Sequence, residues 1–392
     1  MPEKTIPNLP DENVDPFAEY FVSGEPGTFE KAYAWQTAIG LQDVDRIKPS
    51  EYLLKTAKEN IEGEISIDDA KRLIDTYYEE NIHHLPERTE EADKVAVRIA
   101  EILSENSFVF SPTQYIAIHG RLFQGIYRHA GKLRDYNISK KEWVLNGASV
   151  MYGGALELRE TLNYDFQVEK EFDYSNLDMS DIIIHLAKFI SGVWQIHIFC
   201  EGNTRTTAVF FIKYLRSLGF NVTNDIFAKN AWYFRNALVR ANYNDLTQGI
   251  RVNISYLERF LRNLLMGEHN ELKNRYLHVA WSETAHSGDK QHIEQHIEQH
   301  IGTENDTFSI PDDTSVSPKT RNNIERLYQA FGMEKIFGRS DVVAVLQITE
   351  RPASTLLKKM HDLKLTEQII GAGKGKYRFV IHKPTTETEA TK

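Results

Sequence analysis

Cysteine is nearly missing from this chain: Cys200 stands alone among 392 residues, which excludes an intramolecular disulfide framework and the small secreted scaffolds that depend on one. A reducing, cytoplasmic setting is expected. Long apolar runs are missing as well. No stretch approaches the roughly 20 residues that cross a bilayer, and Met1 to Pro16 is acidic and proline-spotted where a secretion signal is basic and then apolar. No membrane partner is expected. Basic residues are outnumbered, 46 against 56 acidic ones, and the net charge of −10 argues against nucleic acid held over the whole surface. What is present is ordinary for a folded chain: 41% hydrophobic and 26% charged residues, in a length that predicts two or three domains.

Residues 1–30 carry Pro7, Pro10, Pro16, Gly24, Pro26 and Gly27 without a sustained period, and read as an arm lying on something else. Beyond Pro49 the pattern turns helical. Ser50 can cap a helix holding Tyr52, Leu53, Leu54 and Ala57 that Gly63 ends; Ser66 can cap a second with Ala70, Leu73, Ile74 and Tyr77 at helical spacing. Between Glu90 and Gly267 apolar residues recur mainly at three and four, as in Val95, Ile99, Ile102 and again in Ile183, Leu186, Ile190, Val193. The expected fold is therefore mainly α. Trp143, Val144 and Leu145 before Asn146-Gly147, a strong hairpin turn signal, predict one β-hairpin flap within it.

From Gln291 to Ile301 the text repeats every four residues, stacking His292, His296 and His300 on one helical face beside Ile293, Ile297 and Ile301. Histidines four apart can bind a metal. No matching carboxylate or cysteine stands out elsewhere, which favours a polar linker helix open to self-association. Residues 302–317 then read as a joint. Past Pro318 the charge inverts, with thirteen Lys/Arg against six Asp/Glu as far as Lys383, so +7 there leaves −17 for the rest. Helical patterns at Asn323–Phe331, Ser340–Leu346 and Pro352–Leu363 precede a basic glycine-rich hairpin, which is a winged-helix order. Arg351, Lys358 and Lys359 would lie on its recognition helix and Lys374, Lys376 and Arg378 on its wing; duplex DNA and a docked protein are both open as partners of 318–392.

The most informative words run from Trp194 to Thr206, a polar loop between two apolar helices. His197 leads, Glu201 follows four residues later, and Gly202-Asn203-Thr204-Arg205 opens the next helix, where free backbone N–H groups favour a bound phosphate. Arg205 can clamp phosphate oxygens, Glu201 can hold Mg²⁺, and His197 can take a proton from an attacking hydroxyl. Spacing alone equally allows a Glu201–Arg205 ion pair, an Asn203 cap and a core histidine.

The string resembles the signature of the Fic family, His-x-Phe-x-Asp/Glu-Gly-Asn-Gly-Arg-x-x-Arg, and matches six of its eight fixed positions. The likeness extends over roughly residues 90–265 through Ile118-His-Gly-Arg-Leu-Phe-Gln-Gly-Ile-Tyr and Ala130-Gly-Lys-Leu-Arg. It implies a Fic-type helical core that transfers AMP from ATP, with Mg²⁺, to a hydroxyl side chain of a target protein, the chain itself among the candidate targets. By the same resemblance His197 is the base, Glu201 the metal ligand, and Phe199 the peg that fixes the loop. Gly202, Asn203, Thr204 and Arg205 form the phosphate cradle, and Trp143, Val144, Leu145, Asn146 and Gly147 the target-positioning flap. Cys200 occupies a variable position, where it packs or faces solvent.

Two positions depart from the signature. Thr204 stands for glycine and Ala208 for the second arginine, and both changes touch the phosphate site. The Doc branch also lacks that arginine and transfers the terminal phosphate, so a Doc-like protein kinase is the alternative, beside a transcriptional regulator acting through 318–392. The family's inhibitory helix has its nearest counterpart in Lys58-Glu-Asn-Ile-Glu62-Gly63, which lacks the usual Ser or Thr; Glu62 is the candidate inhibitory residue. The expected division is 1–85 for the arm and an antitoxin-like helical pair, 86–267 for the catalytic core, 268–317 for the linker and 318–392 for the winged helix and tail. A homodimer is left open.

Overall fold

The computed structural model describes residues 15–23, 26–80, 88–223, 225–281, 316–332, 335–369 and 375–380. Both the His/Ile repeat at 291–301 and Lys374 lie outside the described residues. Within them the protein is mainly helical. A short helix α1 (Ala18–Ser23) and the longer α2 (Pro26–Gly40) lead into α3 (Glu51–Ile61) and α4 (Ile67–Glu80). The expected caps form: the Ser50 hydroxyl accepts from Leu53 N at 3.1 Å, and that of Ser66 from Asp69 N at 3.1 Å.

The arm reading fails at its inner end, because α2 begins at Pro26 and is a core element. Ala32, Tyr33, Ala34, Trp35 and Ala38 are all buried, and α2 packs along α5 (Thr89–Ser104). Proline suits a first helical turn, where its missing N–H costs nothing. Burial on several faces removes the one-sided stripe that marks a surface helix.

Downstream come α6 (Pro112–Phe123), α7 (Leu158–Lys170), α8 (Met179–Ile196), α9 (Asn203–Ser217), the short α10 (Ile226–Lys229), α11 (Ala231–Ala241) and α12 (Ser255–Met266). Helix α9 lies innermost, packed by α5, α6 and α8, and every residue from Asn203 to Leu215 is buried. Two of its polar side chains find these partners: Thr207 Oγ1 pairs with Tyr115 Oη at 2.8 Å, and Lys213 donates to the Glu105 carbonyl. No helix of the described residues is long and apolar enough to cross a membrane.

The expected β-hairpin flap is corrected. Trp143–Leu145 forms a 3-10 turn, closed by Asn146 and Gly147 at positive φ (55° and 85°), with Glu142 N donating to Ala148 O at 3.0 Å. The turn residues behave as their chemistry demands, but the flanks do not pair as strands. A strand would turn either Val144 or Leu145 outward, whereas both are buried, and Val144 O accepts from Val279 N at 2.9 Å.

A second hydrophobic cluster is formed by α13 (Pro318–Phe331), α14 (Arg339–Leu346), α15 (Glu350–Asp362) and an antiparallel pair, β1 (Thr366–Gln368) with β2 (Tyr377–Phe379). It is built on Ile324, Leu327, Phe337, Leu357, Met360 and Phe379. The unit touches the larger one at Asn322, whose side-chain oxygen accepts from Asn137 Nδ2 at 3.3 Å, and at Arg321, whose guanidinium lies 5.5 Å from the Tyr136 ring centre.

Candidate active site

Helix α8 stops at Ile196 because His197 adopts the left-handed conformation (φ 52°, ψ 56°) and returns its N–H to Trp194 O at 3.1 Å. A non-glycine residue holds that conformation only where its surroundings impose it. Arg134 imposes it. Its Nε donates to His197 O at 2.7 Å, its second guanidinium nitrogen reaches the Ile196 and Gly153 carbonyls, and its backbone N donates to Ile198 O at 2.9 Å.

The His197 ring is buried, 4.2 Å from the Tyr152 ring centre and edge-on to Trp194. Neither ring nitrogen meets a hydrogen-bond partner among the described residues. Burial first, then the cations Lys140, Arg134 and Arg235, push its pKa well below the usual histidine value. The imidazole is therefore neutral at pH 7 and keeps a lone pair.

Phe199 anchors the loop. It is fully buried and stacks on His119 at 3.6 Å with an interplanar angle of 7°. Its backbone N donates to Asn203 Oδ1 at 3.0 Å and its carbonyl accepts from Asn203 Nδ2 at 2.8 Å, so one amide closes the turn on both sides. His119 ties the Glu201 carbonyl. Its Nδ1 accepts from Gly131 N at 2.9 Å, which leaves Nε2–H to donate to Glu201 O at 3.0 Å. Burial lowers its pKa to about 3, so this tautomer is held near neutral pH. Gly202, at φ 76°, has no alternative: a Cβ there would overlap the Phe123 ring.

Helix α9 begins at Asn203 without a side-chain cap, so the N–H groups of its first turn have no partner within the helix. Gly202, Asn203 and Thr204 line a cleft of about 300 Å³ together with His197, Glu201 and Lys140. Arg88, Lys141, Arg235, Asp45 and Glu91 complete its charged wall. Glu201 is ion-paired with Lys140 at 2.9 Å and remains partly exposed. Its carboxylate fits the expected magnesium, which commonly takes one or two carboxylates and completes its shell with water and substrate phosphates.

Arg205 is corrected. Its guanidinium is fully buried, ion-paired with Glu91 and with Asp45 at 2.8 Å, donates to Gln42 Oε1 at 3.0 Å, and is absent from the cleft lining. It ties α9 to the N-terminal helices, and Glu201 pairs with Lys140 instead. Burial opposes charge on Glu91, yet Arg205 and Arg88 hold its carboxyl down at about 2. Thr204, where the signature has glycine, accepts through its hydroxyl from Trp194 Nε1 at 3.0 Å. Ala208 is buried.

Glu62 caps the end of α3, accepts from Tyr20 Oη, and does not line the cleft. Among the C-terminal cations, Arg351 and Lys358 are exposed, Lys376 pairs with Asp341 at 3.6 Å and Arg378 with Glu367 at 2.7 Å. Sequence reasoning missed Arg134, Lys140, Tyr152, Arg88 and the Asp45/Glu91 pair. Of these, Arg134 closes the Ala130-Gly-Lys-Leu-Arg motif and Tyr152 ends the segment read as a flap.

A second cavity of about 550 Å³ shares Lys140 and Lys141 with the cleft and extends along Ser149, Met151 and Tyr152 to Tyr328 and Gly332 of the C-terminal unit.

A buried histidine, an uncapped helix N-terminus and facing cations line one cleft, an arrangement whose chemistry suits a phosphate-bearing ligand. Residues 109–215 match the model of the Fic/DOC family. No curated protein matches the chain. A solved Fic family protein from Desulfovibrio desulfuricans G20 is similar at 11% identity and a TM-score of 0.40, over 94% of this chain and 92% of its own.

Proposed function

We propose that the protein transfers AMP from ATP to a hydroxyl side chain of a target protein, with His197 as general base. The observation that carries this reading is the His197 ring, buried yet lining the cleft, uncharged, and with both nitrogens unpartnered among the described residues. A hydroxyl is a weak nucleophile at pH 7, and a positioned base is worth about 10²–10⁴-fold in rate. In this reading the target hydroxyl gives its proton to a His197 nitrogen as its oxygen approaches the α-phosphorus, and pyrophosphate leaves.

The backbone N–H groups at the start of α9 receive the phosphate oxygens. Lys140, Arg88 and Arg235 supply positive charge from the facing wall. Magnesium, held by Glu201, would neutralise phosphate charge when bound. The segment 142–148 is the surface on which the target chain is held, and Tyr152 keeps the His197 ring aimed into the cleft.

A second reading is favoured by Ala208, which removes a cation from the end of the nucleotide: transfer of the terminal phosphate. The deciding experiment incubates the purified protein with Mg²⁺ and ATP labelled separately at the α and γ positions. Entry of the α label, abolished in His197→Ala, supports AMP transfer; entry of γ label alone overturns it in favour of phosphorylation, and entry of neither overturns both.

A further inference from the structure

The cations of the cleft are not equally committed. Arg88 grips Glu91 through two bonds, Nε to Oε2 at 3.0 Å and a terminal nitrogen to Oε1 at 2.9 Å. Arg235 is ion-paired with the wholly buried Glu142 at 2.7 Å, and Lys141 is exposed to solvent. Lys140 differs in kind. Its Nζ lies 2.9 Å from Glu201 Oε2, with the lysine 13% and the glutamate 39% exposed, so its partner is the carboxylate that a divalent ion entering the cleft would take.

We propose that Lys140 is a phosphate-binding residue held in reserve by Glu201: it blocks the carboxylate while the cleft is empty, and a metal–nucleotide complex displaces it onto the phosphates. There it replaces the cation that Ala208 removes. The inference deepens the nucleotide-transfer reading and rests on it.

Three observations carry it. Both ends of the Lys140–Glu201 pair line the same cleft as His197 and the first residues of α9, so a small swing of the side chain stays within reach of any ligand there. Arg88 and Arg235 are already bound to Glu91 and Glu142, neither of which is the candidate metal ligand. A divalent ion and an ammonium group repel each other at one carboxylate, so the arrival of the first expels the second, and the phosphates offer it negative charge within the same cleft. Lys140 N also donates to Ser149 Oγ at 3.2 Å, which fixes the backbone from which the side chain turns.

The test separates two affinities that a structural role would move together or not at all. Mn²⁺ alone is titrated by water-proton relaxation, and Mg·ATP by calorimetry, on full-length wild type, Lys140→Met and Lys140→Arg. Expected for Lys140→Met are Mn²⁺ binding tighter and Mg·ATP binding weaker, each by at least about fivefold, with Lys140→Arg close to wild type in both. Lys140→Gln replaces the Met variant if that one unfolds. Unchanged or parallel shifts in the two affinities overturn the inference while leaving the nucleotide site in place. Wild type that binds no Mg·ATP overturns the site reading and the inference together.

Discussion

The Trp194 indole N–H and the Thr204 hydroxyl meet at 3.0 Å, joining the last turn of α8 to the first turn of α9 across the loop they bracket. A glycine at 204 could not make this bond. Thr204→Val keeps the shape and removes the acceptor, leaving a buried indole N–H unpaired, and is expected to cost about 1–3 kcal/mol in urea unfolding. Thr204→Ser should remain close to wild type.

Gly202 carries the sharpest steric demand. Gly202→Ala adds a Cβ against Phe123 at a positive φ, and is expected to destabilise by roughly 2–4 kcal/mol from overpacking and backbone strain combined. Pairing it with Phe123→Ala should recover the overpacking share only if the clash dominates, and a double-mutant cycle in urea measures it.

Glu91→Ala leaves the buried Arg205 with Asp45 as its carboxylate partner. The expected loss is on the order of 3 kcal/mol, because a buried charge loses part of its compensation. Limited proteolysis should then cut the N-terminal helices earlier than α9, since the tie joins the two.

His119 and His197 both have pKa values lowered by folding. The unfolded chain binds more protons below about pH 6.5, so the stability they contribute is complete above that value and declines as pH falls toward about 3, the folded value for His119. His119→Asn should flatten the stability curve between pH 6.5 and 4, read from urea midpoints. The acidic limb of the transfer rate should lie below pH 6.5, because His197 stays neutral past the point where a free histidine charges.

Much of the helical order is legible in the sequence. The caps at Ser50 and Ser66, the stripe of α8, and the break between α8 and α9 all follow from local chemistry. The places of Phe199, Gly202 and His197 in the loop depend on neighbours within a few residues or on His119, the stacking partner supplied by α6. Helix α2 was not legible, since burial on several faces erases its stripe. Arg205 misled for another reason: its partners Gln42 and Glu91 lie 163 and 114 residues away, and no local rule sees a carboxylate at that separation. Lys140 meets Glu201 across 61 residues, out of reach for the same reason. The flap was misread because a turn signal specifies the reversal of the chain and not the pairing of what flanks it.

Lys140 and Lys141 belong to two cavities at once. A molecule settling along Tyr152 and Tyr328 therefore meets the same ammonium groups as one settling beside His197, and by linkage each alters the other's hold by an equal factor. The partition behaves as a common hinge post between two rooms: neither tenant can be weighed with the adjoining one ignored.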